Sequence, residues 1–352
     1  MSVTKTKSLD PQGAAAQSGN RGLEWLRSII NTEFVMLLIV IVLLVGGWTQ
    51  NENVLSDGNI KIMTRDIAIL GIAAIGVGFT IITAGIDLSV GSMVGFGGVM
   101  AAYFMKEYEW PIWLSIVATL FLAVMIGTVH GLFVTKFKMH GFLITLVTMG
   151  LARGFILWIT ESFPITGLPP EFKDIGQGYV LNETIPVPVI ICFVAAVLSF
   201  FLLRYTYIGR QIYAAGGNAE AARYSGVRVD RRIILAYIIS VVCAVTVGMI
   251  QAGRLGLGHP GTGEGYELLA IAACILGGYN LMGGEGTIPG VLIGAALIGV
   301  LQNLMVILKI DPYLHKIVIY SVLAFAITFA YARQTGLLDR IKNMVSRSMG
   351  QS

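Results

Sequence analysis

Apolar stretches long enough to cross a bilayer recur along nearly the whole chain. The hydrocarbon core of a membrane is about 30 Å thick and takes roughly 20 helical residues to cross. A chain that meets this length repeatedly must satisfy its backbone hydrogen bonds internally, which leaves helices as the spanning elements. Of the 352 residues, 55% are hydrophobic and 12% charged, against about 25% charged in a soluble domain. The fold class is therefore an all-α polytopic membrane protein.

Ten spans are expected, at 34–48, 66–84, 87–105, 111–134, 141–160, 187–203, 233–253, 267–280, 288–308 and 316–332. Residues 1–33 are polar and read as a cytoplasmic tail, 34–332 as the membrane domain, and 333–352 as a second cytoplasmic tail. Basic residues orient the bundle, since Lys and Arg accumulate in cytoplasmic loops. With the amino terminus inside, cytoplasmic segments carry four Lys/Arg in the tail, two in "TKFKMH", six in 204–232 and four after Tyr331. External segments carry seven, and loop 161–186 holds four acids and one Lys. Both termini are expected in the cytoplasm, and the net charge of +4 requires no nucleic-acid partner.

Cys192, Cys243 and Cys274 each lie in an apolar run without a CxxC pair and read as small core residues. The four His are scattered, with no metal-ligand spacing. No metal or cofactor is expected. The 43 Gly include GxxxG spacings at Gly91/Gly95, Gly127/Gly131, Gly150/Gly154 and Gly290/Gly294, which permit close helix approach where no hydrophobic drive separates protein from lipid.

One acid, Asp87, stands inside "AGIDLSVGSMVGFGG" (84–98). A second stretch, "EGYELLAIAACILGG" (264–278), aligns with it at a constant offset of 180. Gly85 meets Gly265, Asp87 meets Glu267, Leu88 meets Leu268, and Gly97-Gly98 meet Gly277-Gly278. By the span count the first begins a helix from the cytoplasmic side and the second from the external side. That is an inverted-topology repeat of spans two to five against seven to ten. Each acid follows a Gly turn and precedes a helix, where a carboxylate accepts bonds from unpaired amides and complements the helix dipole. The alternative is a lining role in a polar path. Asp87, Ser89, Arg153, Glu267 and Asn303 are the candidates for that path. Arg153, roughly 20 Å along its helix from His140, is expected to snorkel outward, pair with an external acid or contribute to the path.

Loop 204–232 contains a short helix with Asn218 as N-cap, Glu220 near its positive end, Arg223 near its negative end, and Gly226 as terminator. Its small residues suit docking into a groove on another subunit; the alternative is a solvated basic loop. No G-x-x-x-x-G-K-[ST] stretch occurs, so nucleotide chemistry belongs to a partner.

Five stretches together resemble the membrane permeases of ribose-type bacterial sugar ABC importers: "TIITAGIDLSVGSMVGFGG", "GLFVTKFKMHGFLITLVTMGLARG", "GRQIYAAGGNAEAARYSGVRVDRR", "GTGEGYELLAIAACILGGYNLMGGEGTIPGVLIGA" and part of span nine. They cover most of residues 60 to 305. "KMHGF" departs from the family, where a Pro-containing segment is common. The resemblance implies a cobalamin-importer-like (type II) permease fold with ten helices per subunit. It also implies a second permease copy, a cytoplasmic ATPase, a periplasmic sugar-binding protein and no ATPase activity of the chain itself. Coupling to the ATPase would involve Gly216, Gly217, Asn218, Ala221, Ala222, Ser225 and Gly226. The rival reading is an ion-coupled secondary transporter, which inverted repeats also fit.

Overall fold

The computed structural model describes residues 32–334; most of the two expected tails lies outside the described residues. The regular structure of the described residues is helical, apart from one two-stranded antiparallel hairpin, β1 (Tyr179–Val180) and β2 (Ile185–Pro186). Thirteen α-helices follow in order: α1 (Thr32–Gln50), α2 (Asp57–Ile82), α3 (Val90–Lys106), α4 (Ile112–Lys136), α5 (Gly141–Ile159), α6 (Pro170–Gln177), α7 (Val187–Tyr205), α8 (Tyr207–Gly217), α9 (Ala219–Tyr224), α10 (Val229–Leu255), α11 (Tyr266–Leu276), α12 (Ile288–Ile307) and α13 (Pro312–Gln334).

Each of the ten expected spans falls on one helix. Seven helices (α1, α2, α4, α5, α7, α10 and α12) are long and apolar enough to cross a membrane. α3 and α11, with 17 and 11 residues, fall short, for a reason that emerges at the candidate site. Helix ends extend past the expected limits where polar caps reach beyond the apolar run. α2 starts at Asp57 because Ser56 caps it, its hydroxyl accepting from Asn59 N at 3.4 Å, and Lys61 pairs with Asp57 one turn back at 2.7 Å. α10 ends where Gly256 takes a left-handed conformation (φ 70°), the usual stop for a helix.

The core is built around α2 and α10. α10 packs on α4, α3 and α2, whereas α2 packs on α12, α11 and α10. The pairs α3–α4, α4–α5 and α3–α5 find counterparts in α11–α12, α12–α13 and α11–α13. Glycine makes the closest crossings. A Cβ on Gly248 of α10 would strike the Val94 carbonyl of α3, and one on Gly294 of α12 would strike the Ala273 carbonyl of α11. Gly127 and Gly131 seat α4 on Ile238 and Ile234 of α10. By contrast, a Cβ on Gly150 or Gly154 of α5 would meet nothing within 4 Å. α1, α5 and α7 present long apolar faces outward, the arrangement expected for lipid contact.

α6 and the hairpin cap one end of the bundle. Gln177 Nε2 donates to the Arg254 carbonyl at 2.9 Å, Arg254 pairs with Asp66, and Ile165 bridges Gly258 in antiparallel fashion. At the opposite end α8 and α9 project from the bundle between α7 and α10.

Candidate functional site

Two breaks in the helical ladder meet inside the bundle. After α2 the chain turns at Thr83–Ala84 and runs without regular structure from Gly85 to Ser89 before α3 begins. This segment climbs beside α5: Thr145 Oγ1 donates to the Ile86 carbonyl at 3.2 Å, Leu88 N donates back to Thr145 Oγ1 at 3.1 Å, and Ser92 Oγ donates to the Met149 carbonyl at 2.8 Å. α3 therefore starts level with the second turn of α5, short of the membrane edge. From the other end, loop 256–265 descends along α3. Gly258 lies against Ala102 and Val99, Thr262 reaches Gly95, and Gly263 reaches Gly91 and Val94. Passing from Ala102 to Gly91 at 1.5 Å per helical residue is a descent of roughly 16 Å, about half the hydrocarbon thickness. α11 then starts at mid-depth, and eleven residues suffice for the remaining half. The apolar runs read as complete third and eighth spans are thus helices preceded by non-helical backbone, tolerated where neighbouring helices satisfy it.

Arg153 of α5 closes this junction. Its guanidinium donates to three carbonyls: Pro260, Thr262 at 3.1 Å and Gly91 at 3.2 Å. Among the described residues it forms no ion pair. The guanidinium is therefore held on backbone and does not snorkel outward, because a five-donor fork can span several carbonyls at once, here those of the non-helical loop 256–265 and of the first turn of α3. Glu267, in the first turn of α11, sets its carboxylate against Gly91 from the other side, where a Cβ would collide with it. Arg153 and Glu267 are both only partly buried. Two helix N-termini, each with unpaired amides and the positive end of a dipole, thus converge with one cation and one anion.

Asp87 and Ser89 belong to a different arrangement, one turn nearer the α8–α9 end. The Asp87 carboxylate is fully buried and accepts from Ser89 N (2.9 Å), Ser89 Oγ (2.6 Å) and Ser240 Oγ of α10 (2.7 Å). It occupies the amide preceding α3, as a capping group does, and also pins the α2–α3 link to α10. The Tyr237 hydroxyl wedges between Gly85 and Gly141, and His130 Nε2 shares a 2.9 Å hydrogen bond with Thr148 Oγ1 alongside. Ser240 and Tyr237 escaped the sequence reading. Their only signal is two hydroxyls three residues apart in the otherwise apolar stretch 233–245 of α10. Asn303 joins neither group. It exchanges two amide hydrogen bonds with Asn59, at 2.8 and 2.9 Å, and clamps α12 to α2.

At the projecting end, α9 forms where the short helix is expected. Asn218 caps it through a 2.9 Å bond from Ala221 N, and Gly226 follows its last residues with φ 81°. An additional helix, α8, precedes it, capped by Thr206. Of the seven coupling candidates, Gly217, Asn218, Ala221, Ser225 and Gly226 are exposed. Gly216 and Ala222 are not. Ala222 packs with Ala215 and Val229 in a small satellite core, so its expected place on a docking face is corrected; the six-residue helix turns that side toward α8 and α10. Tyr224, 86% exposed, stands on the outer face and was missed.

Non-helical backbone flanked by helix starts, inside a bundle with seven helices long and apolar enough to cross a membrane, is the architecture of a multi-pass membrane transport protein. Residues 59–327 match the family described as the branched-chain amino acid transport system/permease component, and the chain belongs to that family. It is similar to the ribose import permease proteins of Haemophilus influenzae (39% identical over 295 residues, 83% of this chain and 90% of that protein) and Bacillus subtilis (38% over 312 residues, 88% and 91%). It is also similar to the xylose transport system permease protein of Escherichia coli K12 (30% over 385 residues, 92% and 98%). No solved structure matches the chain.

Proposed function

We propose that the chain is the membrane permease of an ATP-driven importer of simple sugars or related polyols. The observation that carries this reading is the junction at Gly91, where two helix starts, Arg153 and Glu267 converge at mid-depth and both side chains remain partly exposed. Donor-rich helix ends beside a carboxylate complement a ligand bearing many hydroxyls, and half-helices at the midplane are a recurrent transporter device. The similarity to ribose and xylose permeases favours a sugar over a branched-chain amino acid. The matching contact pattern of α2–α5 and α10–α13 supports the inverted repeat and, with it, ten membrane-crossing segments of a type II importer. Both termini, including tails 1–33 and 333–352, then lie in the cytoplasm with α8 and α9.

A cytoplasmic ATPase docks on the exposed side of loop 204–232, and a periplasmic binding protein delivers the sugar at the α6 end. A second copy of the permease covers the outer side of α5. The open Gly150 and Gly154 there allow a helix to approach, beside a charged residue that lipid tails would not solvate.

Reconstitution into proteoliposomes tests the reading. Uptake of ribose, xylose or allose should require the ATPase, ATP and the binding protein together. Proton- or sodium-driven uptake by the permease alone would transfer the assignment to an ion-coupled transporter.

A further inference from the structure

We propose that a backbone-to-backbone glycine seam, latched by Tyr213, carries the movement of the docking loop into the membrane core. This inference rests on the assignment of loop 204–232 as the ATPase-docking element.

The seam joins α8 to two membrane links at once. Gly216 of α8 lies so close to the last carbonyl of α2, that of Ile82, that a Cβ there would collide with it, and Gly284 N stands on the same side. Gly284 N donates to that Ile82 carbonyl at 2.8 Å. Gly283 packs against Ala84 and the Gly216 carbonyl, and Gly284 packs against Gly217. Gly283 and Gly284 have φ of 90° and 77°, a conformation that side chains oppose. Next to them Tyr213 Oη donates to the Gly286 carbonyl at 2.6 Å. Burial raises the Tyr213 phenol above its ordinary pKa, so it stays protonated and remains a donor.

No side chain with rotamer freedom lies between Gly216 and Ile82, so this contact has little slack. Two residues past Ile82, Ala84 holds φ 58° against Gly283, and three further residues lead to Asp87. The other polar ties of the docking region, Arg232 to Gln211, Arg223 to Asp230 and Lys136 to Asp230, run through exposed or half-exposed side chains, while Ala215, Ala222 and Val229 pack α8 and α9 against the start of α10 and not against the broken helices. Long surface side chains adjust at little cost. Displacement of α8 therefore moves the 82–89 link and the 277–287 link together, and these are the cytoplasmic ends of the two broken helices that meet at Gly91. Tyr213, Gly216 and Gly284 are positioning residues: they touch no solute.

The test uses the complete importer in proteoliposomes, comparing Tyr213→Phe and Gly284→Ala with Gln211→Ala as the control for a compliant tie. The seam predicts that both seam variants assemble and hydrolyse ATP, while sugar taken up per ATP hydrolysed falls about tenfold, equivalent to about 1.4 kcal/mol of coupling. Gln211→Ala should keep the wild-type ratio. Unchanged stoichiometry in Tyr213→Phe, which removes one oxygen and leaves the fold intact, would overturn the proposal even if Gly284→Ala fails to fold. A parallel fall of uptake and ATP hydrolysis would overturn it as well, since that marks general damage. Whether the ATPase docks on this loop is read separately, by co-purification with an Ala221→Trp permease. Retention of the ATPase there refutes the docking assignment whatever the seam variants do.

Discussion

Replacing Asp87 by Leu removes a buried acceptor that serves three donors, and the cost follows from those donors. Ser89 N has no helix carbonyl to turn to and loses its partner outright; a buried unsatisfied group costs about 1–3 kcal/mol. The hydroxyls of Ser89 and Ser240 can rotate toward nearby carbonyls and recover part of their bonding. A branched apolar side chain in a fully enclosed space adds about 1–3 kcal/mol of overpacking. The total is about 2–6 kcal/mol. Asp87→Asn keeps an oxygen facing Ser89 N and Ser89 Oγ, and its amide nitrogen can donate to Ser240 Oγ, leaving a neutral group with its contacts intact. It should therefore lose less than about 1 kcal/mol. Yield of monodisperse protein and apparent melting temperature in detergent separate the two, with Leu well below Asn and Asn near wild type. Equal stability of all three proteins would show that the three hydrogen bonds are not what holds the α2–α3 link. If Asn and Leu both fold normally and both abolish uptake, Asp87 contacts the solute.

Arg153→Lys keeps the charge but lacks the fork that spans three carbonyls, so it should loosen loop 256–265 and increase cysteine labelling at position 262 in a Thr262→Cys background; unchanged labelling would contradict the clamp. Asn303→Leu strands the Asn59 amide oxygen, while the amide nitrogen keeps the Val54 carbonyl at 2.8 Å, and should cost about 1–3 kcal/mol, whereas the double variant with Asn59→Leu should recover part of it in the same melting assay. Ala222→Trp should reduce expression because Ala222 fills the space against Ala215 and Val229, while Ala221→Trp should express normally and lose the ATPase in co-purification. Gly150→Trp should leave the monomer folded and weaken self-association, measured by native mass spectrometry in detergent.

The transmembrane class, the approximate place of all ten apolar helices and the cap of α9 were legible in the sequence because each depends on neighbours a few residues away. Hydropathy is a property of a run, and a cap is made by one side chain and an amide within one turn. The 180-residue offset between Asp87 and Glu267 was legible for the same reason, as a local pattern occurring twice. The offset did not reveal that the two acids do different work. Asp87 precedes its helix and binds Ser240, 153 residues away, whereas Glu267 lies inside its helix and rests on Gly91. Nor could periodicity tell Ala221 from Ala222, since both are small and adjacent; only the packing of α9 against α8 and α10 buries one and exposes the other. The depth of the breaks was equally hidden. An apolar run of 11 or 17 residues looks like a span or a fragment of one until its neighbours give it a level in the membrane. That level is set by Arg153 holding carbonyls from α3 and loop 256–265, contacts between segments 62 to 109 residues apart, which chain-local energetics do not encode.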